Sequence, residues 1–343
     1  SASLFSYFIN VTEIENLSLL NTSQVTTMSA MFNNCRSLTN LDLNDFDTSN
    51  VTSMNGMFAM WNSSDDANST SKLTTLDLGG FDTSKVTSMN SMFVSNTNLV
   101  NLNIKNFDTA KVTNMFHMFM YCKSVESLDL RNFNTSKVTT MDGMFAYCLS
   151  LLSINLSSFD TSNVTSMSWM FNNCRNLKEL DITNFNTSKV TNMNAIFARC
   201  KSLVALDLSN FNTSKLTTMN SMFSMWDEDD SYDSSGSLKK LDLSSFDTSK
   251  VTNMNSMFAF STSLEEINLS SFDTSNVTNM YHMFNRCDSL VKLNFNKANF
   301  NKVTDYDEMF FNQPSTLNII VKDTTAKTWL EARLEGKGTV TIG

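Results

Sequence analysis

Three groups of residues in this 343-residue chain have the type and spacing to do chemistry: six cysteines, a column of aspartates, and two acidic insertions. Cys35, Cys122, Cys148, Cys174, Cys200 and Cys287 each stand three residues after the Phe of a Met-Phe or Ile-Phe pair. Neighbouring thiols are 26 residues or more apart, which is neither a C-x-x-C metal clip nor a compact disulfide framework. The spacing predicts reduced packing thiols, because parallel stacked side chains seldom meet disulfide geometry. Asp42, Asp77, Asp129, Asp181, Asp207 and Asp242 share one strand column with Asn103, Asn155, Asn268 and Asn294. Such a column could gather Ca²⁺ or a cationic ligand, or it could be a solvated Asx ladder that shares hydrogen bonds. Opposite in sign, Lys85, Lys111, Lys137, Lys189, Lys215 and Lys250 repeat along one edge, where they could attract an acidic glycan or block lateral sheet pairing.

The insertions near 61–71 and 226–236 each follow the letters Met-Phe-x-Met-Trp. They offer Asp65 and Asp66 in one, and Asp227, Asp229 and Asp230 in the other, as candidate Ca²⁺ ligands. Neither has the D-x-D-x-D-G order of an EF-hand loop, so a solvated loop flanked by a buried Trp stands beside the metal reading. Trp61 and Trp226 join Phe116, Tyr121, Tyr147, Trp169 and Tyr281 as candidate ligand anchors, since aromatics are favoured at interfaces. The last five fall at variable positions of a segment read as a short helix, where packing does not dictate them. Enzyme chemistry finds no support: His117 and His282 are solitary, and no G-x-S-x-G, H-E-x-x-H, P-loop or dinucleotide fingerprint is present. Apart from possible Ca²⁺, no cofactor is expected.

All these residues hang on one repeated sentence, exemplified by F-N-T-S-K-V-T-T-M-D-G-M-F-A-Y-C-L-S-L-L-S-I-N-L from Phe133 to Leu156. Its opening Phe recurs from Phe46 to Phe300 in steps of 26, with two of 35 and a last of 28. A fixed period in this range predicts a solenoid, because one unit cannot bury its apolar face alone. Of 23 Met, 20 occupy two columns, and 21 of 27 Phe occupy two others, which reads as core. L-x-x-L-x-L alternates with period two and predicts a short strand, [DN]-T-S a turn, and V-T-x-M a second strand or bridge. The tail x-x-M-F-x-x-C-x-x-L, apolar every three to four residues, predicts a helical or 3₁₀ turn back to the next strand.

The expected fold is therefore a leucine-rich-repeat-like solenoid of about ten 26-residue coils, with short parallel strands and a short helical or 3₁₀ turn per coil, capped at both ends. Residues 1–30 read as an N-terminal cap with a degenerate repeat, and 31–312 as the solenoid. Residues 313–343 read as a strand-helix-strand cap.

A net charge of −9 and a pI near 4.8 argue against nucleic acid or an anionic bilayer as partner. No run reaches the length of a spanning helix, so no direct membrane insertion is expected, and any signal or anchor would lie outside this piece.

The iterated F-D-T-S-x-V-T-x-M-x-x-M-F-x-x-C-x-x-L-x-x-L-D-L closely resembles the BspA-like leucine-rich-repeat bacterial surface proteins, over about residues 12–312. The resemblance implies an extracellular, cell-surface, host-facing protein, and carries no catalytic residue. It reads as a non-enzymatic adhesin or interaction module, monomeric as a fragment, for a host protein or glycan in matrix, mucus or cell surface. The alternative is a structural stalk or antigenic display segment of a larger surface protein.

Overall fold

The structure, a computed structural model, describes residues 2–60, 70–226 and 236–343. The chain forms two compact units, Ser1–Val164 and Thr165–Gly343, and each is a parallel solenoid. The first unit carries β1 (Thr75–Asp77) and β2 (Asn101–Asn103), paired in parallel with Thr75 opposite Asn101. In the second, a five-stranded parallel sheet runs in chain order through β3 (Lys240–Asp242), β4 (Glu266–Asn268), β5 (Lys292–Phe295), β6 (Asn318–Val321) and β7 (Thr339–Ile342). The helix α1 (Thr324–Leu334) links β6 to β7; Asp323 caps it by accepting the Ala326 N–H at 2.9 Å, and it buries Ala326, Leu330 and Leu334. Trp329 of α1 stacks on Phe300 at 4.4 Å, and the Arg333 guanidinium lies 3.7 Å over the Trp329 ring.

A second parallel contact runs along V-T-x-M, as isolated bridges such as Ser53 to Ser88 and Asn253 to Asn279. Most of its Val and Met are buried and its Thr exposed, and eight of these Thr hydroxyls donate to the Thr carbonyl of the coil before, as Thr113 does to Thr87.

The expected helical or 3₁₀ turn per coil is corrected by the structure. Among the described residues the one 3₁₀ turn is Leu17–Leu19, outside the M-F segments. Each M-F segment is instead a run of β-turns in which N–H groups alternate in direction. In the first full coil, Ala30, Phe32 and Asn34 donate to Asn55, Met57 and Ala59 of the next coil, whereas Met31, Asn33 and Cys35 donate three residues back. A helix would need all of these N–H groups to point along one chain, so the axial bonds exclude it. The alternation goes with left-handed backbone at two positions in most coils, illustrated by Ala30 (φ 53°) and Asn34 (φ 56°), and at one in the coils of Gly56 and Ser221. That region favours glycine, which holds it at Gly56 (φ 56°) and Gly143 (φ 55°). Gly56→Ala is expected to cost about 1 kcal/mol in chemical denaturation, and Ala30→Gly to gain a similar amount. Gly143→Ala should cost more, because its Cβ would stand 2.5 Å from His117 Cδ2 of the coil before.

Residues 3–8 repeat this backbone: Ser3 (φ 58°) and Tyr7 (φ 64°) are left-handed, and Ser3, Phe5 and Tyr7 donate to Ser29, Met31 and Asn33. The core of each unit is a ladder of parallel rings. Phe5, Phe32, Phe58, Phe93, Phe119 and Phe145 stack in the first unit at centroid spacings of 5.3–5.8 Å. Phe171, Phe197, Phe223, Phe258, Phe284 and Phe310 stack in the second at 5.4–6.1 Å.

Candidate functional site

Three polar ladders absorb most of the side chains that sequence spacing singles out. The first is cysteine. All six thiols are buried, and four donate to the carbonyl of the M-F Phe one coil earlier, Cys122 to Phe93, Cys148 to Phe119, Cys200 to Phe171 and Cys287 to Phe258, all at 3.2 Å, while Cys35 donates to the Phe5 carbonyl at 3.0 Å. Where the column is not Cys, Asn96 donates to Phe58 and Ser261 to Phe223 by the same route. Outside the two coils that carry Trp61 and Trp226 here, the position therefore selects a buried donor rather than sulfur chemistry. Burial pushes the Cys122 and Cys200 thiols up to about 12, which removes the thiolate at neutral pH. A soluble thiol reagent is expected to titrate none of these thiols in the native protein and six in denaturant.

The second ladder is the Asx of the strand column. In all ten copies the side-chain oxygen accepts the N–H two residues on, as Asp77 does from Gly79 and Asp242 from Ser244. Asn103 also donates to Asp77 at 2.6 Å and Asn268 to Asp242 at 3.0 Å. The hydroxyl two residues on, then the N–H, hold Asp181 and Asp242 below the ordinary carboxylate range. Hydrogen bonds from Arg131 bring Asp129 to about 2. Among the described residues no group of three or more His, Cys, Asp or Glu converges to hold a metal ion. The five insertion aspartates, Asp65, Asp66, Asp227, Asp229 and Asp230, lie outside the described residues, as does Trp61.

The third ladder escapes a sequence reading that treats [DN]-T-S as local turn chemistry. Its Thr is buried and bonds to the next coil, as when Thr109 Oγ1 donates to the Asn134 carbonyl at 2.9 Å and accepts the Asn134 N–H at 2.8 Å. Thr83, Thr135, Thr187 and Thr213 repeat both bonds. The signal is in the sequence: a Thr kept in every copy from Thr48 to Thr274, beside an Asx that varies between Asp and Asn, is what a two-way hydroxyl rung requires.

The aromatic anchors divide, and the expectation that they project from a helix is corrected with the helix itself. Tyr121 (φ 61°) and Tyr147 (φ 60°) meet, with rings stacked at 4.4 Å, half-buried against Ala59, Val94, Met120 and Ala146. Phe116 and Tyr281 are half-buried and stack on His117 and His282 at 3.6 and 3.7 Å. His282 Nε2 lies 2.9 Å from Glu308 Oε2. Trp169 is 43% exposed, and Trp226 is 47% exposed rather than the buried flank expected of it.

A surface that no single motif announces lies on the sheet face of the first unit. Four coils border an open depression of about 690 Å³, with Asn40, Thr75, Asn101 and Ser127 in one outward column and Asp42, Asp77, Asn103 and Asp129 in the next. Val100 stands beside them, 47% exposed. In the second unit the column of Thr75 and Asn101 includes Lys240 and Glu266, ion-paired at 3.1 Å, and the column of Val100 includes Lys239 and Glu265, paired at 2.6 Å. The depression presents amide, hydroxyl and carboxylate groups able to hydrogen-bond a ligand.

Comparison with known proteins places the repeat. A family model described as "Mycoplasma protein of unknown function, DUF285" matches residues 2–70, 60–178, 151–228 and 225–322. No curated protein sequence matches the chain. Among solved structures, one titled as the pneumococcal vaccine antigen PcpA aligns over 90% of this chain and 78% of its own, at 12% identity and a TM-score of 0.37. A TLR13–ssRNA13 complex aligns over 85% of this chain and 52% of its own, at 13% identity and a TM-score of 0.23. At such scores neither likeness carries a functional argument.

Proposed function

Because the chain belongs to the DUF285 family, whose iterated letters here serve coil stacking, we propose that it is a non-enzymatic interaction module of a bacterial cell surface. In this reading it acts as an adhesin for matrix, mucus or cell-surface ligands, within the BspA-like branch that its repeat resembles. The observation that supports the reading is the division of labour inside each coil. Phe, Met, Val, Cys and the buried Thr are consumed by stacking, while the outward column of Asn40, Thr75, Asn101 and Ser127 changes residue type from coil to coil. A rigid scaffold with a variable face is what recognition by a repeat protein uses. No described helix is long and apolar enough to cross a membrane, so attachment in this reading needs another segment or partner.

The test is a solid-phase panel of matrix proteins, mucin and whole cells probed with the purified chain. Saturable binding to at least one component is expected. Failure to bind any of them would remove the adhesin reading and leave the stalk.

A further inference from the structure

Resting on the interaction reading above, we propose that the sheet-face depression of the first unit binds an uncharged linear glycan laid along the coil axis, about one sugar per coil. The side chains of Asn40, Thr75, Asn101 and Ser127 make no hydrogen bond among the described residues, and all four are exposed. They are amides and hydroxyls, able to donate and accept, and they recur once per coil. Neighbouring parallel strands stand about 4.8 Å apart, the order of the rise of one extended pyranose, so a polymer of sugars meets an equivalent group at each step. The adjoining Asx column is already engaged in its turns, yet Asp42 and Asp77 keep acceptor oxygens for sugar hydroxyls. Val100, exposed within the depression, offers an apolar contact for the C–H face of a ring.

Charge selects among glycans. The face holds Asp42, Asp77 and Asp129 against Lys105, and Arg131 is already paired with Asp129 at 2.8 Å. A sulfated or sialylated chain would meet net repulsion there, whereas a neutral one would not. Glycine shapes the rim. Gly79-Gly80 is the one Gly-Gly of the sequence, at a position where other coils place Asn44, Lys105 and Arg131. A Cβ at Gly79 would stand 2.7 Å from Asn103 Nδ2, and nothing lies within 4 Å of one at Gly80. The Asn103 amide thus fills the space over Gly79, whose N–H is held by Asp77 and whose carbonyl by Asn106, and the backbone left open to close approach is at Gly80.

The experiment is a glycan array carrying neutral linear glucan, mannan and N-acetylglucosamine oligomers of increasing length beside sialylated and sulfated chains. Binding to a neutral series is expected, tightening up to about four sugars, one for each coil bordering the depression, and then levelling. Thr75→Lys and Asn101→Lys should each weaken it by at least about tenfold at an unchanged melting temperature, while Ala205→Lys, in the same column of the second unit, should not. Binding to no neutral glycan, preference for the anionic chains, or binding indifferent to Thr75→Lys and Asn101→Lys overturns the proposal. If the array is silent while a protein of the solid-phase panel binds, this inference falls and the interaction reading stands. If both are silent, both fall.

Discussion

Phe119→Ala is expected to cost about 4 kcal/mol of stability, among the largest effects of any single substitution in the first unit. The ring is fully buried and lies between Phe93 at 5.5 Å and Phe145 at 5.7 Å, with interplanar angles of 7° and 3°. Truncation removes both stacking contacts and leaves a cavity walled by aromatic faces that backbone bonds hold at fixed spacing. Phe119 donates its own N–H to Met144 and its carbonyl accepts the Cys148 thiol, so the backbone cannot slide in to fill the space. Phe119→Leu keeps much of the volume and should lose about half as much. Urea denaturation followed by circular dichroism measures both. A loss under about 1 kcal/mol for Phe119→Ala would mean that the ring ladder is not what holds the coils.

Thr109→Val is the second. It conserves shape, so a packing account predicts almost no change, whereas the hydroxyl rung predicts a loss of about 3 kcal/mol. The Asn134 carbonyl loses its donor and the Asn134 N–H its acceptor, and both face a position that is fully buried. Thr109→Ser retains the hydroxyl and should fall well short of that loss. The ordering Thr, Ser, Val in stability is the readout, and equality of Val with Thr would refute the rung.

The period itself made the solenoid legible, because 26-residue spacing of Phe and Met leaves stacking as the one way to bury them. The strands were legible where Leu alternates with polar residues, as at Leu76 and Leu241. The M-F segment departs from the expected helical turn for a physical reason. Apolar spacing of three to four fits a helix, but it fits equally a chain of turns whose N–H groups alternate between its own coil and the next, and composition does not separate them. The separating sign was Gly56 and Gly143 sharing one position with Ala30 and Ser91, a mixture that left-handed backbone tolerates and a helix interior would not favour.

The sheet-face depression was half legible. Its Asx column stood out because it repeats, whereas Asn40, Thr75, Asn101 and Ser127 do not repeat a residue type and become a surface only through register. The aromatics stood out for the opposite reason: Tyr121 and Tyr147 are rare letters, and much of each ring is spent on the partner ring and on Met120.

The most direct measurement sets two double variants against the unaltered chain on the same binding panel, each checked for an unchanged melting profile. One is Thr75→Lys with Asn101→Lys on the sheet face, the other Tyr121→Ser with Tyr147→Ser on the turn edge. Loss of binding in the first and retention in the second is the predicted result. Retention in the first with loss in the second, or binding indifferent to both, would contradict the assignment of recognition to the sheet face.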